Sequence, residues 1–142
     1  MKRPSIVFVC AGNTCRSLMA EWLTKAHAAS ELHVASAGMR PQPPEDGSNA
    51  IEALAVAYSI DASSHVPRDV RDIELDSFDV IVAMDRGIAR ELKGLSAKEP
   101  VVWEIDDPWG NDPTEYRRTA IIISQKVNKL LRSLGIEVRD AA

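Results

Sequence analysis

Two patterns of hydrophobic residues alternate along the chain, and the first is typical of buried strands. Ser5–Cys10 and 79–84 are continuous runs of mostly β-branched and aromatic residues, the pattern of a strand that is covered on both faces in a parallel sheet. Shorter apolar runs at 32–36 and 100–103 predict two further strands. The sequence thus predicts about four strands.

The second pattern is the helical spacing of apolar residues between and after these strands. It predicts a first helix that begins near Ser17, a second over Ser48–Tyr58 and a third over 85–92. The last helix has the clearest start, because Asp112 can cap the first turn and Pro113 suits the first helical position.

Strands that alternate with helices predict an α/β fold in which the strands are parallel. We expect one doubly wound domain over residues 1–142, with helices on both faces of the sheet. Ligands bind such folds at the carboxyl ends of the strands. This rule directs attention to the loops that follow Val9, Met84 and Trp103.

Composition and charge limit the classes of binding partner and the cell compartment that we expect. The 142 residues are 45% hydrophobic and 27% charged, as in one globular domain, and the net charge of -4 argues against nucleic acid or an anionic membrane as partner. No apolar run reaches the roughly 20 residues of a membrane-spanning helix. We therefore expect a cytoplasmic protein, assumed to be a monomer. Its two cysteines, Cys10 and Cys15, are too few for a disulfide framework.

The loop after the first strand carries the strongest chemical signal. A strand that ends at Cys10 and enters a helix near Ser17 places the free N–H groups of a first helical turn around the Cys10 sulfur. These donors and the Arg16 guanidinium favour a thiolate there and can hold a tetrahedral oxyanion. Three other kinds of site are excluded. A nucleotide-binding loop would need a lysine, and a dinucleotide-binding site would need further glycines. A zinc site would need more cysteine or histidine ligands. The candidate substrate-binding residues of this loop are Ala11, Gly12, Asn13, Thr14, Cys15 and Ser17.

A second signal lies after the last predicted strand. Asp106 and Asp107 precede Pro108, on a loop that the fold places near Cys10. A thiolate that displaces a phosphoryl group benefits from a general acid on the leaving-group side, and either aspartate can serve. Chemistry alone does not choose between them.

Several motifs together resemble the low-molecular-weight protein tyrosine phosphatase family, which also contains arsenate reductases and protein arginine phosphatases. The resemblance covers essentially the whole chain, and its first motif is highly specific. The matching residues are the run at 9–17, Met19 to Glu21, Ser36 to Gly38, Ser64 and His65 with Arg68, Ala83 to Asp85, and Asp107 with Pro108.

The resemblance implies a role for each candidate residue. Cys10 would be the nucleophile, Arg16 the clamp on the phosphate, and Asp107 the general acid and base. Ser17 would donate a hydrogen bond to the thiolate, while Asn13, Ser36 and His65 would hold the loop in shape. The substrate would be a phosphorylated protein or a small phosphomonoester, and no cofactor or metal is required.

Departures from the family pattern bear on the substrate. Leu18 replaces the usual proline, and 39–44 lacks the aromatic residue expected to form one pocket wall, so that Trp109 alone can stack on a ring. Thr14 resembles the threonine of the arginine phosphatase branch. Protein tyrosine phosphatase is the first interpretation, and protein arginine phosphatase is an alternative.

Two further alternatives are an arsenate reductase and a non-catalytic oxyanion-binding module. The sequence has no cysteine after Cys15, which excludes the internal thiol relay of the reductases and leaves a reductase resolved by an external thiol. Cys15 itself has two interpretations. It can form a reversible disulfide with Cys10 on oxidation, or it can only pack beneath the loop.

Overall fold

The computed structural model describes residues 3–139 and contains one four-stranded sheet. Its elements in chain order are β1 (Ser5–Cys10), α1 (Arg16–His27), β2 (His33–Gly38), α2 (Ser48–Tyr58), β3 (Val80–Ala83), α3 (Arg86–Leu92), β4 (Val101–Val102) and α4 (Pro113–Ser133). Short 3-10 segments lie at Pro44–Gly47, Val70–Asp72 and Leu75–Ser77.

The strands are parallel and lie in the order β2-β1-β3-β4, as the alternation of strands and helices predicts. All six residues of β1 are buried, because β1 pairs on both sides and is covered on both faces. The doubly wound α/β fold is therefore confirmed.

Successive side chains of β1 enter two separate hydrophobic layers, as the two-residue period of a strand requires. Ile6 and Phe8 pack in the larger layer with residues of α1, α2 and α4. Val7 and Val9 pack in the smaller layer with residues of α3 and of the 3-10 segments at 70–77. Helices thus cover both faces, with three on one side and one on the other.

The observed ends of the second and fourth strands differ most from the prediction, while β3 is one residue shorter at each end. The second strand continues to Gly38, because Gly38 is still in register with Cys10 at the end of β1. The fourth strand is reduced to Val101–Val102, although Trp103 N–H still donates to the Ala83 carbonyl at 2.8 Å. Both strands end beside the loops that form the pocket described below.

Within residues 3–139, no helix is long and apolar enough to cross a membrane.

Candidate functional site

A cavity of about 310 Å³ opens at the carboxyl end of the sheet. Eight of the residues predicted for the site line it, namely Cys10, Ala11, Gly12, Thr14, Cys15, Arg16, Asp107 and Trp109. Arg40 and Gln42 also line it and were not predicted. Asn13, Ser17, Ser36 and His65 are buried or half-buried around the loop instead.

The backbone of the anion loop, which we define as residues 10–17, is oriented by contacts on its outer side. Met39, Arg40 and Gln42 donate their N–H groups to the carbonyls of residues 10, 11 and 12 at 2.8–3.0 Å. His65 Nε2 lies 2.9 Å from the carbonyl oxygen of Asn13. Because the carbonyl and N–H of a trans peptide point in opposite directions, these contacts turn the following N–H groups toward the cavity.

A chain of buried hydrogen bonds leads to the Cys10 sulfur. Asn13 Nδ2 donates to both Ser17 Oγ and Ser36 Oγ at 2.8 Å. The Ser17 hydroxyl is then free to donate to Cys10 Sγ, which lies 2.9 Å away. Ser36 in turn donates to Glu21 Oε1 at 2.5 Å. Every hydroxyl in this chain has a defined direction, and the last donor points at the sulfur.

Asn13 sits at the centre of this arrangement in a backbone conformation that few residues adopt. Its φ is 58°, in the left-handed region that asparagine tolerates better than most residues. Its side-chain oxygen accepts the Arg68 N–H at 2.9 Å. Asn13 therefore fixes the turn of the loop with its backbone and three side-chain hydrogen bonds.

His65 holds the loop as a neutral imidazole. Trp22 Nε1–H donates to His65 Nδ1 at 3.1 Å, so Nδ1 is the acceptor nitrogen and Nε2 carries the proton that binds the Asn13 carbonyl. Burial lowers the pKa of His65, and this outweighs the opposing effects of the Asn13 carbonyl and Glu21. The half-buried ring thus contacts the anion loop at the Asn13 carbonyl.

The Arg16 guanidinium is 4% exposed and is anchored on one side. Its Nη1 donates to Asp85 Oδ2 at 2.9 Å and to the Ile105 carbonyl at 2.8 Å. Nη2 lies 3.9 Å from Asp107 Oδ2. Since Nη1 is occupied by both anchors, the Nη2 side is the one presented to the cavity and to an anion.

Asp85 is a site residue that the sequence reasoning missed as a functional group. Burial alone would raise its pKa, but hydrogen bonds from the Ile88 N–H and from Arg16 lower it below the ordinary value. Its Oδ1 caps α3 by accepting from Ile88 N at 2.8 Å. The available signal was its place directly after β3, at the same sheet edge as Cys10.

The structure distinguishes the two candidate aspartates. Asp107 lines the cavity, and its Oδ1 accepts the Trp109 N–H at 3.0 Å, which leaves Oδ2 facing Arg16. Both aspartates are exposed, but Asp106 is not one of the cavity-lining residues. Of the two, Asp107 is therefore the one that lies at the cavity over Cys10.

Two further residues of the anion loop, Cys15 and Thr14, are both buried. Cys15 is 7% exposed, and burial together with the nearby Cys10 and Asp107 raises its pKa well above the ordinary value despite Arg16. Cys15 therefore remains a neutral thiol at the back of the cavity. Thr14 is 5% exposed and is one of the residues that line the cavity.

The arrangement can hold an oxyanion against a sulfur nucleophile. Inward N–H groups and the Arg16 guanidinium supply donors, Ser17 supplies a hydroxyl to Cys10, and Asp107 supplies a carboxyl on the open side. These are the groups that in-line displacement at phosphorus uses.

The comparisons with known proteins agree with this geometry. The family model for low molecular weight phosphotyrosine protein phosphatase matches residues 5–140. A protein-arginine-phosphatase of Bacillus subtilis is 32% identical, over 94% of this chain and 96% of that protein. Arsenate reductase 2 of Staphylococcus saprophyticus is 30% identical, over 91% and 97% of the two chains.

A solved structure shows the same fold. The crystal structure of a low molecular weight protein tyrosine phosphatase from T. tengcongensis superposes with a TM-score of 0.82 at 29% identity, over 92% of this chain and 99% of that one. The relatives thus include phosphatases and arsenate reductases built on one scaffold. With the family model spanning nearly the whole sequence, the chain belongs to the low molecular weight phosphotyrosine protein phosphatase family.

Proposed function

We propose that the protein hydrolyses phosphorylated protein side chains through a cysteinyl-phosphate intermediate, with phosphotyrosine as the first candidate substrate. The observation that carries this proposal is the convergence of Cys10, Arg16 and Asp107 on one cavity. The hydroxyl of Ser17 lies 2.9 Å from the Cys10 sulfur and can donate a hydrogen bond to it.

The first step transfers the phosphoryl group to sulfur. The Cys10 thiolate attacks phosphorus in line, the bond from phosphorus to the leaving oxygen breaks, and Asp107 gives its proton to that oxygen. Arg16 and the inward N–H groups of the anion loop stabilise the three equatorial oxygens in the transition state. Arg16 is prepared for this because Asp85 and the Ile105 carbonyl already fix its orientation.

The second step releases phosphate. Asp107, now a carboxylate, accepts a proton from a water molecule that attacks phosphorus, and the bond from phosphorus to Cys10 breaks. The hydrogen bond from Ser17 stabilises the departing thiolate. The cycle returns both side chains to their starting protonation states.

The cavity walls support phosphotyrosine on one side. Trp109 is 57% exposed at the cavity and offers an indole face to a phenyl ring. Arg40 and Gln42 also line the cavity, and they come from the segment 39–44 in which a second aromatic residue is expected. Trp109 is therefore the aromatic residue among those that line the cavity.

Phosphoarginine is the second candidate, and a specific observation favours it. Thr14 and Gln42 both line the cavity and bring a hydroxyl and an amide side chain to it. A guanidinium leaving group has N–H donors that a hydroxyl or amide oxygen can accept. The Bacillus subtilis relative described above bears the name of this activity.

The first experiment tests the reaction mechanism with a generic phosphomonoester, independently of the natural substrate. Wild type should turn over para-nitrophenyl phosphate, while Cys10→Ser should not, and Asp107→Asn should slow leaving groups of high pKa most. Absence of turnover by the wild type, or an equal loss in Asp106→Asn, contradicts the mechanism.

A second experiment identifies the substrate class by comparing the rates of hydrolysis of peptides that carry phosphotyrosine, phosphoarginine or phosphoserine. Arsenate is tested as a fourth compound. A phosphotyrosine preference in wild type supports the first candidate. A phosphoarginine preference that Thr14→Ile abolishes supports the second. Reduction of arsenate with glutathione or a glutaredoxin would instead indicate a reductase with an external thiol.

A further inference from the structure

A second cavity, away from the anion loop, lies between α3 and the outer edge of β4 and has a volume of about 260 Å³. We call this surface the edge groove. Its main lining residues are Arg86, Arg90, Lys93, Glu99, Pro100 and Val102.

On this side of β4 the backbone of Val102 is available for pairing. β4 is the last strand of the sheet, and Trp103 N–H faces inward because it donates to the Ala83 carbonyl. In a parallel ladder the hydrogen-bonding direction alternates from one residue to the next, so the N–H and carbonyl of Val102 face outward. Such an edge can accept an extended peptide as a further strand.

The other wall of the groove is positively charged. Arg86 and Arg90 lie on α3, and Lys93 directly follows the helix. Their spacings of four and three residues place all three along one side of α3. Arg86 is paired with Glu104, its Nε 2.6 Å from Oε1. Among residues 3–139, no carboxylate lies within ion-pair distance of Arg90 or Lys93.

Arg90 and Lys93 lie in a chain whose net charge is -4. The groove also contains Glu99, the carboxylate among its lining residues. Two unpaired cations therefore face one acidic side chain, and the local field favours an anionic occupant.

One end of the groove lies beside the catalytic pocket. Arg86 directly follows Asp85, whose carboxylate holds Arg16, and Glu104 lies on the loop that continues to Asp107. A polypeptide that places a phosphorylated side chain over Cys10 can thus continue along β4.

From these observations we propose that the edge groove docks an extended acidic segment of the protein substrate, which adds to β4 as a strand and presents its carboxylates to Arg90 and Lys93. The proposal rests on the protein phosphatase function proposed above. It concerns the flanking sequence of the substrate, whereas the anion loop recognises the phosphoryl group.

The test compares two phosphopeptides that differ only in whether the flanking residues are Asp and Glu or Asn and Gln. They carry whichever phosphoresidue, phosphotyrosine or phosphoarginine, the wild type hydrolyses faster. The test variant is R90E/K93E. The control, K126E/K129E, makes the same change in net charge at exposed positions of α4.

We expect R90E/K93E to lower kcat/KM for the acidic peptide roughly five- to tenfold and to leave the neutral peptide and para-nitrophenyl phosphate unchanged. The difference should shrink in about 0.5 M salt, since exposed charges are screened. An equal loss in K126E/K129E, or no preference of wild type for the acidic peptide, would overturn the proposal.

A binding measurement tests the strand pairing separately. Titration of the acidic peptide into Cys10→Ser should shift the backbone amide resonances of Val101 and Val102, and R90E/K93E in the same background should weaken the effect. Unmoved resonances at β4 contradict the docking site. If the wild type does not turn over para-nitrophenyl phosphate, the phosphatase function itself is contradicted. Failure of the docking proposal and failure of the phosphatase function are therefore distinguishable.

Discussion

Single residues shape the anion loop by leaving space as well as by binding. A Cβ on Gly38 would lie 2.8 Å from the Ala11 carbonyl oxygen and 2.9 Å from the Gly12 carbonyl carbon, both in the backbone of the loop. Because backbone cannot rotate away as a side chain does, Gly38→Ala must displace the loop. We expect kcat/KM for para-nitrophenyl phosphate to fall roughly 10- to 100-fold.

Gly94→Ala is the matched control for this substitution. A Cβ there would approach nothing closer than the Glu91 carbonyl oxygen at 3.8 Å, an ordinary contact. Its kcat/KM should stay within twofold of wild type, with circular dichroism confirming that both variants fold. Full activity in Gly38→Ala would show that the loop does not need this close approach.

Asp85 is predicted to act through Arg16 and not on the substrate itself. Asp85→Asn removes the charge that holds Nη1, while the contact to the Ile105 carbonyl remains. We expect kcat/KM to fall roughly tenfold, with a matching loss of affinity for vanadate, because both depend on the orientation of the Arg16 guanidinium. Asp106→Asn is the control, and an equal loss there would refute the positioning role.

The residues that sequence reasoning found and those it missed differ in how far apart their contacts lie. The anion loop is one continuous segment, so the donor types at 10–17 reveal its chemistry directly. Asp85 contacts Arg16 across 69 positions, and Arg40 and Gln42 join the wall through pairing with the loop backbone. Spacing in the sequence does not encode contacts of this kind unless the fold is already known.

At the scale of elements, α4 is the case where a local signal determined the structure. Asp112 accepts hydrogen bonds from the Glu115 N–H, and Pro113 begins the helix as predicted. Replacing the cap leaves a first-turn donor without this partner, so Asp112→Ala should lower the free energy of unfolding by about 1 kcal/mol. Urea denaturation measures this.

Thr114→Ala, two residues after Asp112 and exposed, is the control for the cap. Its free energy of unfolding should change by less than about 0.5 kcal/mol. Equal destabilisation by both substitutions would mean that the helix start is not maintained by Asp112.

Other elements were predictable only in part, because their ends depend on partners. β1 was predicted in full, since its hydrophobic run and its buried length coincide. β2 runs two residues beyond its apolar pattern because β1 continues beside it. The 3-10 segments at 70–77 carry no periodic signal, and they form where Val70 and Leu75 fill the smaller hydrophobic layer.

At the scale of the whole molecule, contacts between helices that are distant in sequence stabilise the larger hydrophobic layer. One of these contacts involves a titratable side chain, His27. His27, near the end of α1, is 5% exposed, and its Nε2 lies 3.1 Å from Ser124 Oγ of α4. Its ring meets Tyr58 of α2 edge-on at 5.6 Å between centroids. A charge on this ring would therefore lie at the junction of three helices.

Burial lowers the pKa of His27, which makes acid destabilise the whole fold. The unfolded chain, with a histidine pKa of about 6.5, binds more protons than the folded chain below that pH. Stability is thus complete above pH 6.5 and falls as the pH decreases, by at most about 1.4 kcal/mol for one such group between pH 7.5 and 5.5. His65 contributes in the same direction, because its pKa is also lowered by burial.

His27→Gln keeps a polar group near Ser124 and removes this titration. It should be less stable than wild type at pH 7.5, because the contact of the ring with Tyr58 is lost, yet its stability should fall less between pH 7.5 and 5.5. Urea denaturation at both pH values measures the difference. If His27→Gln instead loses as much stability on acidification as wild type, the neutral form of His27 does not support the packing of α1 against α4.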